Sequence, residues 1–398
     1  MMEGWQTKKL GELCDISLGK TPARAITAFW DEKRTTDNVW LSIADLLGAT
    51  EGVVLDSKEY LSNVGAALCR PVRQGTLLVS FKLTLGRLAF AGRDLFTNEA
   101  IAALTISNEQ ELSKAYLFYF LHFFDWDKAT EGDVKIKGKT LNKEKLKAID
   151  VHFPPAAEQE RIVRVLDQAF EGIATAKSHT ERNLQNVRAV FEGHLQEVFS
   201  RRGAGWETKR IADIARHSLG KMLDKAKNKG RPQPYLRNIN VRWFAFDLSD
   251  LLQMRFLPTE LEKYTAVKGD VLICEGGYPG RAAIWNEDFP IYFQKALHRV
   301  RFHEPMHSKW FVYYLYVQDK SGELKRQFTG TGIQHFTGEV LARFPLPLPP
   351  LGELPRLMAM FDELFVETQR LESIYQRKLG ELESLKKSLL HHAFTGQL

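Results

Sequence analysis

The sequence predicts an α+β protein written twice, in which a globular segment of mixed strand and helix is closed by one long helix and both are then repeated. Three observations carry this expectation. Residues 158–199 and 353–394 hold helices with a continuous apolar seam, the chain matches itself at a nearly fixed offset, and a Pro-Pro step stands ahead of each long helix. Self-similarity at a fixed period marks a repeated structural unit. The chain of 398 residues therefore divides into a globular domain at 1–152, a long helix at 153–200, a second globular domain at 201–347 and a second long helix at 348–398.

In chain order, Trp5-Gln6-Thr7-Lys8-Lys9-Leu10 returns as Trp206-Glu207-Thr208-Lys209-Arg210-Ile211, and Ser17-Leu18-Gly19-Lys20 returns as Ser218-Leu219-Gly220-Lys221 at the same offset. Val39-Trp40-Leu41 then answers Pro234-Tyr235-Leu236, Gly75 with Leu77-Leu78-Val79 answers Gly269 with Val271-Leu272-Ile273, and Gly86-Arg87 answers Gly280-Arg281. Short apolar, β-branched runs at 76–80, 100–106 and 271–274, set between glycine-containing turns, read as strands. Residues 112–124 and 310–317 carry bulky apolar side chains at nearly every turn and read as buried helices or strands, since periodicity alone does not separate the two.

Phe153-Pro154-Pro155 and Pro345-Leu346-Pro347-Leu348-Pro349-Pro350 force an extended path before each long helix. Proline fixes its own φ and pushes the preceding residue out of the helical region. The first helix places Ile162, Leu166, Ala169, Ile173, Ala176, Thr180, Leu184, Val187, Phe191 and Val198 on one seam. The second places Leu357, Phe361, Leu364, Thr368, Leu371, Tyr375, Lys378, Leu382, Leu385 and Leu389 in strict 4-3-4-3 spacing. Such a seam buries itself best against another of its kind, so the helices are expected to pair as a coiled coil, each roughly 60 Å long.

Composition narrows the function classes. Hydrophobic residues make up 44% of the chain, enough for more than one core. No apolar run is long enough to span a membrane and the N-terminus lacks a signal-peptide pattern, so a cytoplasmic protein is expected. Cys14, Cys69 and Cys274 are far apart and carry no partner at metal-ligand spacing. The net charge of +6 lies wholly in residues 206–340, with 21 basic against 15 acidic side chains, which is compatible with a polyanion partner there.

Trp-x-x-x-x-Leu near the start, Gly19-Lys20-Thr21-Pro22, Trp30 ahead of 39–46, and Pro154-Pro155-Ala156-Ala157-Glu158-Gln159-Glu160-Arg161 leading into a heptad helix resemble the specificity subunit of type I restriction-modification systems. The resemblance covers essentially the whole chain, twice over. It implies two target-recognition domains and two long spacer helices packed antiparallel within the chain, with a pseudo-two-fold internal repeat. Each domain would read one half of a bipartite, asymmetric double-stranded DNA target, with the helices setting the spacer. It also implies two methyltransferase (M) subunits and restriction/translocase (R) subunits as partners. This chain would itself be non-catalytic and without a cofactor, while the partners use S-adenosylmethionine and, for restriction, ATP with Mg. One departure is Glu353-Leu354-Pro355-Arg356, where the first repeat has Glu158-Gln159-Glu160-Arg161; the helix should survive, because proline is tolerated in a first turn. Thr21-Pro22 also has no counterpart, being Met222-Leu223.

The residues are consistent with a non-catalytic reader. Phosphate-cradling and dinucleotide-binding glycine loops are absent, 276–280 being only a Gly-rich turn, and 153–156 has the wrong order for an amino-methyltransferase motif. Asp133-Val134-Lys135 lacks a partnering acid for a nuclease site, and His122, His298 and His335 read as structural. For DNA, Lys and Arg neutralise phosphates, while forked Arg, Asn and Gln side chains discriminate base edges. Arg237, Asn238, Asn240 and Arg242 form the best base-reading candidate, although the same asparagines in a solvated turn would bond their own backbone. In the first domain Arg34, Lys82 and Arg87 take this role, and Arg281 repeats Arg87. Lys20, Lys221, Lys225 and Lys227 are candidate phosphate contacts, as are the tracts 135–139 and 143–147. Gln159, Val165, Phe170, Met360 and Phe365, near the Pro-Pro ends of the helices, are the candidate partner contacts. The competing reading is a coiled-coil scaffold that binds only proteins; it leaves the basic second domain unexplained.

Overall fold

The structure, a computed structural model, describes residues 4–49, 52–130, 134–135, 138–224, 226–332 and 334–398, with the backbone alone for 134–135 and 138–140. Two compact units are present. The first comprises Met1–Thr180 with Lys378–Leu398, and the second Glu181–Arg377.

The first unit is built on a five-stranded sheet in the order Cys14–Leu18, Ile101–Ile106, Leu77–Ser80, Leu88–Ala91, Val53–Val54, antiparallel except for its last pair. Side chains alternate between faces along a strand, and here both faces are covered. Leu77, Val79 and Leu104 pack with Tyr116, Leu117 and Phe120 of helix α1 (Lys114–Phe123), while Leu78, Ala89 and Ile101 pack with Val39, Leu41 and Leu46. Double coverage explains why these strands read as continuous apolar runs. It also decides residues 112–124 in favour of a helix, capped by the Ser113 hydroxyl accepting from Tyr116 N.

The second unit repeats the plan with four antiparallel strands, Ala215–Leu219, Leu297–Phe302, Val271–Cys274 and Ala282–Ile284. Val271, Ile273 and Val300 face Trp310, Phe311 and Leu315, and Leu272, Cys274 and Leu297 face Trp285, Ile291 and Phe293. Each globular segment closes with the same two-stranded ribbon: Gln6–Lys9 pairs with Asp150–Phe153, and Glu207–Arg210 with Pro345–Leu348. Pro345 and Pro347 are tolerated because that strand has a neighbour on one side only.

The long helices are α2 (Ala156–Arg201) and, past the second core helix, α4 (Leu354–Phe394); the core helix between them is α3 (Met306–Lys320). Pro355 lies inside the first turn of α4 without breaking it, as expected. Within the first unit the start of α2 runs antiparallel to the end of α4: Arg161 Nη2 donates to the Leu398 carbonyl at 2.7 Å and Lys177 Nζ to Glu383 Oε1 at 2.9 Å. Within the second unit Arg188 pairs with Glu372, and His194 Nε2 lies 3.4 Å from Met360 Sδ.

The seam departs from the expected beat. Lys378 is exposed and Leu385 is 47% exposed, whereas Leu379, Lys386 and Leu390 turn inward. A straight helix advances 3.6 residues per turn, so the stripe drifts off a strict 3.5 repeat. Full burial gathers at the ends, at Ile162, Leu166, Phe191, Leu195 and Phe199 on α2 and Leu357, Phe361, Leu390, Ala393 and Phe394 on α4, where the helices meet the globular cores. Between them only Thr180 and Thr368 are buried among the described residues. No helix among the described residues is long and apolar enough to cross a membrane.

Candidate nucleic-acid interface

One piece of geometry occurs in both units. In the first, strand Leu77–Ser80 passes into Leu88–Ala91 through a turn at 81–87. Ser80 N donates to the Arg87 carbonyl and Gly86 N to the Ser80 carbonyl, both at 2.9 Å. In the second, Cys274 N donates to the Arg281 carbonyl and Gly280 N to the Cys274 carbonyl, again at 2.9 Å. Gly86 and Gly280 have φ of 72° and 84°. A Cβ on Gly86 would stand 2.4 Å from Trp126 Cδ1 and one on Gly280 2.4 Å from Leu324 Cδ2, so glycine is required twice over. The repeated Gly-Arg is thus the exit of a turn, and Arg87 and Arg281 occupy the same structural place.

A second loop lies against each turn. Leu141 N donates to the Phe81 carbonyl at 3.0 Å, and its counterpart Phe336 N to the Glu275 carbonyl at 2.8 Å. In the first unit this loop forms a three-stranded ribbon, Val134–Lys135, Gly138–Thr140, Lys82–Leu83, so Lys135 and Lys139 of the tract 135–139 share one small sheet with Lys82. Asp133, Ile136 and Lys137 of that region lie outside the described residues. In the second unit Thr329 and His335 bridge each other across 330–334, close to the Gly276 turn.

The segment 237–242 is bonded largely within its own unit. Asn238–Asn240 form a 3₁₀ turn rather than an alternating strand. Asn240 is 2% exposed and its amide is fully spent, accepting from Arg237 N at 2.9 Å and donating to the carbonyls of Asp247 and Asp250 at 2.9 and 3.0 Å. Arg237 donates to Asp250 Oδ2 at 2.7 Å and to its carbonyl at 2.8 Å. Asn238 Nδ2 donates to the Gly276 carbonyl at 3.0 Å, and Arg281 Nη2 to the Asn238 carbonyl at 3.0 Å while its guanidinium stacks over Tyr278. Arg242 is exposed but donates to the Ile239 carbonyl and reaches Asp247 Oδ2 at 3.4 Å. These side chains are the frame that fixes the loop. The groups it presents are ones the sequence pattern did not single out: Ile239 at 51% and Tyr278 at 44% exposure, and exposed Gln334.

The remaining basic candidates divide in two. Lys221 is 7% exposed; its ammonium donates to Glu260 Oε2 at 2.5 Å and the Arg255 carbonyl at 3.0 Å and lies over Phe256, so in this arrangement it is not free to meet a phosphate. Lys20 and Lys227 are exposed, the latter 3.8 Å from Asp224 Oδ2, while Lys225 lies outside the described residues. Arg34 is exposed over Tyr60, Lys82 half-buried over Phe81, and Arg87 half-buried. Among the described residues no cluster of His, Cys, Asp or Glu suits a metal ion.

Of the partner candidates, Gln159 requires correction. It is 1% exposed and bonded entirely within the chain: Oε1 accepts from Ser113 N at 2.9 Å, and Nε2 donates to the carbonyls of Glu111 and Pro154 at 2.8 and 2.9 Å. Its counterpart Leu354 is equally buried, so a polar anchor in one repeat is an apolar one in the other. Phe170 packs against Tyr119 beneath Lys386, and Phe365 against Phe191 and Phe244. Val165 is 37% exposed, and Met360 lines a shallow hollow in the second unit with Val190, His194 and Leu364.

The family described as type I restriction modification DNA specificity domain matches this chain twice, at residues 2–185 and 204–376. The MjaIX type I restriction enzyme specificity subunit of Methanocaldococcus jannaschii is 22% identical over 241 residues, 54% of this chain and 52% of that one. The EcoKI specificity subunit of Escherichia coli K12 is 20% identical over 268 residues, 63% and 58% of the two chains. The chain thus spans little more than half the length of these relatives. Among solved structures, a chain from work on complex assembly and conformational transition of the type I R-M system superposes with a TM-score of 0.79 at 19% identity, covering 100% of this chain and 99% of that one. The HsdS subunit of Thermoanaerobacter tengcongensis gives 0.59 at 18% identity, covering 100% and 98%. The twofold match, falling on the two globular domains and running into both long helices, shows that this chain belongs to the type I restriction-modification DNA specificity family.

Proposed function

We propose that the chain is a non-catalytic specificity subunit that directs methyltransferase and restriction/translocase subunits to a bipartite DNA target, each globular domain reading one half-site and the long helices setting the spacer. The observation that carries this reading is the twice-built turn and loop around Arg87 and Arg281, which in the first unit sets Lys82, Lys135 and Lys139 on one ribbon. Lysines there supply phosphate affinity, and the turn tips carry the groups that distinguish bases. S-adenosylmethionine, and ATP with Mg, belong to the partners, and the assembly works in the cytoplasm.

The methyltransferase subunits would dock on the helix pair beside each core. Val190 and its repeat counterpart Leu385 are 63% and 47% exposed, and Met360 answers Val165. Each unit thus carries exposed apolar residues at equivalent positions of its helix pair, which suits two copies of one partner.

The test is duplex binding by the full chain with its methyltransferase subunits over a salt series. The logarithm of affinity is expected to fall linearly with that of salt concentration, by about one per phosphate neutralised. Charge-removing changes at Lys82 and Lys139 together should flatten that slope by one to two. Binding that ignores salt would leave a protein-binding scaffold as the better account.

A further inference from the structure

Leu83 sits at φ 65°, in the left-handed region, where the Cβ of an L-residue crowds the next carbonyl. Its repeat counterpart is Gly277, at φ 75°, for which this conformation is free of strain. The turn is imposed from below: Ser80 is fully buried, its hydroxyl donates to the Thr84 carbonyl at 2.6 Å and accepts from Arg87 N at 2.9 Å. Glycine would suit position 83 as it suits 277. The leucine side chain nevertheless stands 56% exposed and so contributes little to the core. A side chain that strains the backbone and points into water is not explained by folding.

Basic residues adjoin it along the backbone. Lys139 is its partner across the ribbon, Lys82 precedes it, and Arg87 leaves the same turn. An isobutyl group gains nothing from phosphates, and the apolar feature a duplex offers at its major-groove edge is the thymine methyl. We infer that Leu83, held at the tip of the basic ribbon by its strained turn, contacts the 5-methyl group of a thymine in the half-site read by the first domain. This rests on the DNA-reading function proposed above and names one specificity-determining residue within it.

The test uses the full chain with its methyltransferase subunits and its target duplex, each thymine of that half-site replaced singly by deoxyuracil, which removes only the methyl. One replacement should weaken wild-type binding roughly fourfold, the effect of burying one methyl-sized group. Leu83→Gly and Leu83→Asn, both at ease in a left-handed turn, should bind the thymine target about as weakly and be indifferent to that replacement, while melting no lower than wild type. A flat deoxyuracil series, a glycine variant that binds like wild type, or one that melts lower overturns the inference. In the first two cases salt-sensitive wild-type binding would persist and the reading function would stand; loss of that binding would remove both.

Discussion

His298 is 1% exposed, its Nε2 donates to the Phe336 carbonyl at 3.1 Å, and its Nδ1 is buried without a partner. Burial lowers its pKa from 6.5 to about 4; the Phe336 carbonyl opposes the shift and nearby His217 adds to it. The unfolded chain therefore takes up a proton near pH 6.5 that the folded chain refuses until about 4. Stability from this residue is full above pH 6.5 and falls by roughly 3 kcal/mol on acidification to pH 4, since one unit is worth about 1.4 kcal/mol. Denaturant midpoints at pH 7 and pH 4.5 should converge more closely for His298→Gln than for wild type; equal losses would assign the effect to other groups. At this scale the sequence is readable in kind but not in commitment. It marks Arg237, Asn240 and Lys221 as able to fork or to pair. That Asp250 and Glu260 arrive to claim two of them depends on strand pairings residues away. Likewise the exposure of Tyr278 and Leu83 follows from turn geometry and not from residue type.

Elements are more legible, because their causes are local. The strands at 77–80 and 271–274, the proline stops and both long helices follow from periodicity and backbone restriction. The strict 4-3-4-3 beat fails for one reason: a 3.5 repeat written in letters can be carried by a helix of 3.6 residues per turn, and Lys378 and Leu385 then rotate outward. Gln159 shows what seats such a helix. With its amide bonded to Ser113, Glu111 and Pro154, it ties the first turn of α2 to the loop before α1. Gln159→Leu copies the residue of the second repeat but orphans three backbone groups, so a loss of roughly 2–4 kcal/mol is expected in thermal or denaturant unfolding. The reciprocal Leu354→Gln would bury an amide among apolar neighbours and should cost a similar amount. A neutral Gln159→Leu would show that water can replace the side chain.

For the whole molecule, the proposal of independent readers and a helical ruler makes two predictions. Exchanging residues 1–152 for the matching segment of another family member should change one half of the methylated motif and leave the other half and the spacer intact, as read by methylome sequencing. Inserting one heptad into both α2 and α4 adds about 10.5 Å of helix and should lengthen the preferred spacer by roughly three base pairs of 3.4 Å each. An unchanged spacer would remove the helices from that role. The first unit also has an unusual history written into its connectivity. Its core is sealed by the ring of Phe394 against Tyr116, Phe120 and Phe123, and Arg161 is bonded to the carbonyl of Leu398. These are contacts between residues more than two hundred positions apart, so each closes a long loop of chain. The part of this core lined by Phe394 cannot close until residues 378–398 have been synthesised, although the rest of the unit precedes residue 181.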